Sequence, residues 1–286
     1  MTPAPTPTPT AAAPVALDTA CLSHPGMVRA HNEDAVFVDG ESGIALLADG
    51  MGGYSAGEVA SGIAVSVIRN GMLPVLKSGR ELSKVDVTTG LTHAALLMHE
   101  QIAVANKAIY DAAQARPECA GMGTTLVAAV FCGNRVSIGH IGDSRCYRLR
   151  GDKFEQLTHD HSLLQEQIDN GVLTAEQAKY SLNKNLVTRA LGIEAIVAAD
   201  IAEYRVEADD IYLLNSDGLT DMVEPGIIQS IITSKRADLA EAAADLVELA
   251  NQNGGRDNIS VVLVRVPAGF LPSSGWVQRW LAKKQG

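Results

Sequence analysis

Apolar positions recur with two different periods along the chain, and the period separates strands from helices. Ala35-Val-Phe-Val38 and Ile44-Ala-Leu-Leu-Ala48 are short apolar runs joined by Asp-Gly-Glu-Ser-Gly, which predicts a hairpin. Ser55 and Glu58 form a capping box, after which Val59, Ile63 and Val67 recur at helical spacing. Asn70-Gly71 and Pro74 predict where that helix stops. Leu91, Ala95, Met98, Ile102, Ala105 and Ile109 form one apolar face of a second helix, expected over 91–114. Strands are expected at 125–131, 135–141 and 146–149, the first pair turning at Gly133-Asn134. A polar, strand-poor stretch follows over 161–184, with a further capping box at Thr174 and Gln177. Ile211-Tyr-Leu-Leu214 reads as a buried strand, 239–250 as an amphipathic helix and 259–266 as the last strand. Hairpin pairs separated by blocks of helix predict antiparallel sheets covered by helices, an α+β fold, and not alternating βαβ units.

The ends read differently from this body. Residues 1–14 alternate proline with threonine and alanine, which favours an extended, solvated arm. A single domain is expected over 15–267, followed by a tail over 268–286. In the tail, Trp276 and Trp280 lie one helical turn apart beside Arg279, Lys283 and Lys284. That pattern fits a helix resting on the body, or an anchor for a partner or a membrane surface.

Composition narrows the function classes. The 286 residues are 47% hydrophobic and 20% charged, which is ordinary for a globular domain. Lys and Arg total 23 against 33 Asp and Glu, a net charge of -10 without any basic run. Such a surface is a poor match for nucleic acid, whose phosphates are neutralised by clustered cations. Cys21, Cys119, Cys132 and Cys146 show no Cys-x-x-Cys spacing, so they frame neither a zinc site nor a disulfide scaffold. No apolar stretch is expected to reach the ~18 residues of a membrane span. The first basic residue is Arg29, which leaves no charged opening for a signal peptide, and a cytoplasmic location is expected.

The candidate chemistry lies in aspartates that abut apolar strands in glycine-rich loops: Asp34, Asp49, Asp143, Asp217 and Asp257. Asp-Gly is often only a tight turn, and Asp39-Gly40 is read that way. Asp49-Gly50 and Asp217-Gly218 are not, because no returning strand follows either of them. If such carboxylates converge, two charges ~5 Å apart at an effective dielectric near 20 repel by about 3 kcal/mol. A cluster of this kind binds cations or takes up protons. Oxygen-only donors select hard ions such as Mg²⁺ or Mn²⁺.

Gly26-Met-Val-Arg-Ala-His-Asn-Glu-Asp34, Ala48-Asp-Gly-Met-Gly-Gly53, Gly121-Met-Gly-Thr-Thr125 and Gly139-His-Ile-Gly-Asp-Ser-Arg145 occur in order. Leu157-Thr-His-Asp-His-Ser162, Thr188-Arg-Ala-Leu-Gly192, Ser216-Asp-Gly-Leu-Thr-Asp221 and Gly255-Arg-Asp-Asn258 follow. With these motifs the chain, from about Leu17 to Val266, resembles the metal-dependent serine/threonine protein phosphatases of type 2C in their short bacterial form. The resemblance implies a four-layer αββα sandwich, two antiparallel β-sheets flanked by helices. It implies that Asp49 bridges two Mn²⁺ or Mg²⁺ ions, that the Gly50 carbonyl binds one, and that Asp217 and Asp257 bind the other. Glu33 and Asp34 then hold metal-bound waters, Arg29 grips the phosphate, and Asp143 shares a third, weaker ion with Asp217. The stretch 161–184 corresponds to a flap beside the active site.

The implied reaction is direct hydrolysis of phosphoserine or phosphothreonine in proteins by a hydroxide bridging two metals, opposing a serine/threonine kinase. A catalytically silent phosphoprotein-binding scaffold is the alternative, and a two-metal phosphodiesterase or nuclease is a third reading. Met51 stands where some members of the family place a proposed histidine acid, and a thioether gives no proton. A metal-bound water or His31 is left for that role. His159-Asp-His161 lacks a second ligand pair at zinc spacing and is read as loop structure near the flap. Neither Gly50-Met-Gly-Gly53 nor Gly121-Met-Gly123 fits a nucleotide-binding glycine motif.

Overall fold

Two antiparallel sheets stack face to face, and helices cover both outer faces. The computed structural model describes residues 15–53, 56–78, 81–178, 181 and 186–270. The proline-threonine arm, Ser55 of the first capping box, part of the 161–184 stretch and the Trp276/Trp280 tail lie outside the described residues. The strands are β1 (Asp18–His24), β2 (Asp34–Asp39), β3 (Ile44–Met51), β4 (Gly123–Thr124), β5 (Leu126–Cys132), β6 (Arg135–Ile141), β7 (Arg145–Arg150), β8 (Lys153–Gln156), β9 (Asp200–Arg205), β10 (Ile211–Asn215) and β11 (Ile259–Arg265). The helices are α1 (Ala56–Leu76), α2 (His93–Ala115), α3 (Leu163–Asp169), α4 (Ala175–Ala178), α5 (Asp217–Thr220), α6 (Pro225–Ser234) and α7 (Leu239–Gln252).

One sheet runs β1-β11-β10-β7-β8. The other runs β2-β3-β5-β6-β9, with β4 pairing the end of β3. Strand alternation sorts the core into layers. On β3, Ile44, Leu46 and Ala48 face α1 and α2, whereas Ala45 and Leu47 meet Tyr212, Leu214, Val262 and Val264 of the facing sheet. On β10 and β11, Ile211, Leu213, Val261 and Leu263 point outward to the α6–α7 layer. Apolar residues on both faces of the central strands explain why they read as nearly unbroken runs.

Several expectations need correction. The first helix does not stop at Asn70-Gly71 or Pro74 but runs on to Leu76. A Cβ on Gly71 would lie 1.8 Å from the Gln101 side chain, so glycine here makes room for α2. Pro74 removes one donor only, and the helix ends just beyond it. α1 is also long and apolar enough to cross a membrane by length and composition, at a mean hydropathy of 1.5, contrary to the expectation that no stretch approaches a span. Its Ala60, Ala64, Ile68 and Met72 are fully buried in the core, and Val59, Ile63, Val67 and Leu73 pack against it partly buried. β1, β8, β9 and α6 were not foreseen, and Asp34 therefore opens the second strand, not the first. Asp39 behaves as expected, its Oδ1 accepting from the Glu41 and Ser42 N–H groups in the turn. The Thr174 and Gln177 box also forms, each side chain bonding the other residue's backbone N–H.

Candidate metal centre

Register sets the first two carboxylates side by side, because Asp34 pairs directly with Asp49 in the β2–β3 ladder. The Asp49 backbone is held on three sides. Its N–H donates to Thr125 Oγ1 at 3.0 Å, and its carbonyl accepts from the Thr125 N–H at 2.9 Å and the Thr124 hydroxyl at 2.8 Å. Gly50 donates its N–H to the Glu33 carbonyl at 3.1 Å. A Cβ there would sit 2.2 Å from the Gly57 carbonyl oxygen, so only glycine lets the start of α1 approach β3 this closely. From the other sheet, Asp217 follows β10. The neighbouring Ser216 hydroxyl donates to Asp34 Oδ2 at 3.0 Å and ties the sheets together. Asp257 precedes β11, and Asn258 beside it fixes the loop that carries Arg29 and Glu33. Asn258 accepts from the Glu33 N–H at 2.8 Å and donates to the Pro25 and His31 carbonyls at 3.0 and 2.9 Å.

Asp49, Asp143, Asp217 and Asp257 thereby line one cleft of about 210 Å³, with Arg29, Glu33 and Gly50 in its walls. Asp34 does not line that cleft and is reached through Asp49. Burial, reinforced by repulsion from Asp34 and Asp217, holds the Asp49 carboxyl well above the usual carboxylate range. Burial and the neighbouring Asp143 do the same for Asp217. Burial pushes Asp34 up to about 6 against the pull of the Ser260 and Ser216 hydroxyls. Burial and Asp160 push Asp143 up to about 6. Among the described residues, no hydrogen-bond donor reaches the buried Asp34 Oδ1. These side chains fit divalent cations: the donor set is all oxygen, and bound charge would relieve the repulsion.

Arg29 reaches the mouth of the cleft, where Nη2 donates to Asp257 Oδ2 at 2.7 Å and half of the side chain is in solvent. Met51 lines the cleft and supplies no proton. The His31 side chain is exposed and is not among the residues lining it. A second cleft of about 510 Å³ adjoins the first through Asp143 and Asp217. Leu164 and Ile168 of α3 form one wall, and Thr220, Glu224 and Pro225 form the other. At its base Arg145 is consumed by Asp160, with Nε and Nη2 both donating to the carboxylate at 2.6–3.0 Å.

His159 contacts Asp169 at 2.7 Å, local structure as expected. His161 instead meets His140 and Asp200, whose donor atoms lie within 4.8 Å of its own, a grouping that spacing along the chain did not reveal. The Gly142 N–H donates to His161 Nδ1 at 3.1 Å, so the proton sits on Nε2 and faces Asp200. With both ring nitrogens engaged, His161 has no lone pair for a metal. Thr125, Ser144 and Asn258 were also missed as site residues. All three lie inside the quoted motifs, and only their contacts reveal that Thr125 holds Asp49, Ser144 braces Thr125 and Asn258 holds Glu33.

Two stacked sheets that carry an all-oxygen cleft fitted to divalent cations define the class, a metal-binding β-sandwich protein. Residues 28–263 match the family model described as Protein phosphatase 2C. The chain is 39% identical to the serine/threonine phosphatase stp of Listeria innocua over 242 residues, 84% of this chain and 92% of that one. It is 38% identical to the serine/threonine protein phosphatase PstP of Mycobacterium tuberculosis, over 86% of this chain and 44% of that longer protein. The crystal structure of that phosphatase superposes with a TM-score of 0.79 at 35% identity, covering 88% of this chain and 100% of that chain. Its catalytic domain in complex with two manganese ions gives a TM-score of 0.75, covering 88% and 99%. The chain belongs to the protein phosphatase 2C family.

Proposed function

We propose that the chain hydrolyses phosphoserine and phosphothreonine in proteins, using divalent cations held by Asp49, Asp217, Asp257 and the Gly50 carbonyl. The observation that carries this reading is the convergence of Asp49, Asp143, Asp217 and Asp257 on one cleft where they repel one another. Cations bound there supply positive charge for the phosphoryl oxygens and acidify a water at neutral pH. Glu33 in the cleft wall orients the surrounding waters, and Asp34 acts on them from behind Asp49. Arg29 exchanges its bond to Asp257 for two parallel bonds to the phosphate, which the planar guanidinium is shaped to make. Met51 leaves no side-chain acid at the leaving oxygen, so the proton comes from water. The adjoining cleft, walled by α3, receives the peptide flanking the phosphorylated residue, and the 161–184 segment acts as its flap.

Asp143, shared between the two clefts, is the ligand of a third and weaker ion. The domain spans 15–267, and the substrates include a serine/threonine kinase in a bacterial cytoplasm. The Trp276/Trp280 tail is a contact for a partner or a membrane surface. A silent scaffold has no use for carboxylates held at such electrostatic cost, and the net charge of -10 opposes a nuclease. The test is phosphothreonine-peptide hydrolysis across a series of divalent ions, with Asp49→Ala as control. Mn²⁺- or Mg²⁺-dependent turnover lost in the variant supports the reading; turnover indifferent to metal, or unchanged in Asp49→Ala, overturns it.

A further inference from the structure

The loop Gly142-Asp143-Ser144 connects β6 to β7, and a histidine grips it at each end. At the Gly142 end, the His161 N–H donates to the Gly142 carbonyl at 2.7 Å while the Gly142 N–H donates to His161 Nδ1 at 3.1 Å. These reciprocal bonds lock one residue, Gly142, whose φ of +103° an L side chain rarely adopts and whose Cβ would lie 2.6 Å from Thr125. At the Ser144 end, His140 Nε2 lies 3.0 Å from the Ser144 carbonyl. A carbonyl only accepts, so the proton is on Nε2, and the buried Nδ1 has no partner among the described residues. The rings sit 4.7 Å apart. The Ser144 hydroxyl adds a 2.8 Å bond to Thr125, the residue that holds Asp49. Asp143 is thus the centre of a span fixed on both sides, and its own carboxylate receives no side-chain hydrogen bond among the described residues.

The clamp also reaches outward. His161 Nε2 lies 3.1 Å from Asp200 Oδ2, and Arg189 donates to the other Asp200 oxygen at 3.2 Å. The β6–β9 ladder sets Asp200 directly opposite His140. The His161 carbonyl accepts from the Thr188 N–H at 2.8 Å, and the Leu163 N–H donates to the Leu186 carbonyl at 2.9 Å. The two ends of the proposed flap therefore close on the residue that holds Gly142. A buried imidazole with an unpartnered nitrogen is a cost that an apolar side chain would avoid, so the contact made by its other nitrogen matters.

We propose that His161 and His140 are positioning residues that hold the Gly142–Ser144 span and so aim the Asp143 carboxylate at a third divalent ion. This rests on the reading of Asp143 as that ion's ligand. Residues one step behind a ligand govern affinity by fixing its orientation, typically by roughly 10- to 100-fold.

The experiment is calorimetric titration of the full chain with Mn²⁺, resolving a tight phase from a weak one. His161→Ala and His140→Ala are expected to weaken the weak phase by about 10-fold or more and to leave the tight phase unchanged. Asp143→Ala is the control for the underlying reading. A weak phase that survives in Asp143→Ala removes that reading, whatever the histidines do. A weak phase lost in Asp143→Ala but intact in both histidine variants overturns the clamp alone. Should the alanine variants fail to fold, His161→Asn and His161→Gln decide between the outcomes. Asparagine keeps an acceptor where Nδ1 stood and is expected to restore the weak phase. Glutamine places its amide at the Nε2 position and is expected not to. Equal weak-phase affinity in these two variants overturns the proposal.

Discussion

Asp49 and Asp143 face the same cleft from supports of different kinds. Asp49 lies within β3, between the β2 and β4 ladders, with its backbone bonded to Thr124 and Thr125. Asp143 lies in a loop, and the side chains of His140 on β6 and His161 ahead of α3 hold that loop. The first support is set mainly by the strand ladders of the sandwich, with the Thr124 and Thr125 hydroxyls added to them. The second is a network of polar contacts, which one substitution can loosen without unfolding the core. One cleft thus joins a part fixed by the core to a part that local contacts can retune.

The largest test of that contrast compares removal of each carboxylate. Asp49→Ala should cut phosphopeptide turnover on the order of 1,000-fold, since lost cation binding removes several kcal/mol of transition-state stabilisation. Asp143→Ala should cost less than a tenth of that factor, and equal losses in steady-state assays would break the distinction. Next in size is the pH dependence of stability in chelator. Asp34 and Asp143 sit near 6 in the fold against an ordinary 3.8, so the folded state holds their protons more tightly than the unfolded chain. Their contribution is full below about 4 and is lost as pH rises through about 6, by up to about 3 kcal/mol for each group. Thermal melts in chelator should show this loss, and saturating Mn²⁺ should abolish it.

Arg29→Lys should raise KM for phosphopeptide about 10-fold without altering the melting temperature, because an ammonium cannot make paired bonds to phosphate. Thr125→Val should destabilise by about 1 kcal/mol in urea unfolding and lower turnover, since the hydroxyl binds the Asp49 N–H and Ser144 together. The smallest effect is expected on the α3 wall. Ile168→Ser should change stability by no more than about 0.5 kcal/mol. It should raise KM for a phosphopeptide about 3-fold, as loss of a modest apolar contact would, and leave p-nitrophenyl phosphate turnover unchanged. An equal effect on both substrates would remove that cleft from peptide binding.

The same division decided what could be read from the chain. Strands buried on both faces announce themselves as apolar runs: 126–132 and 259–265 match the expected ranges to within a residue, whereas β3 runs on from the expected end at Ala48 to Met51. Their flanking aspartates were legible as candidates, and the resemblance supplied the grouping that spacing could not. β8 and β9 were missed because they are edge strands rich in charge, Lys-Phe-Glu-Gln and Asp-Ile-Ala-Glu-Tyr-Arg, with no apolar period to betray them. β1 lies at the opposite edge and is only partly buried, so its Asp-Thr-Ala-Cys-Leu-Ser-His gives the same weak signal. The supports of Asp143 were invisible for another reason: His161 and Asp200 are 39 positions apart and meet only through tertiary folding.

β1 pairs along its whole length with β11, from Asp18 against Arg265 to His24 against Ile259, and the Arg265–Asp18 ion pair closes the far end. Among the described residues the first strand is therefore held by the last, a pairing of high sequence separation. Asp257 and Asn258 stand just ahead of β11, so the pairing that closes this sheet also brings in one carboxylate of the cleft and the partner of Arg29. Closure of the sheet and completion of the cleft are therefore one event in this topology.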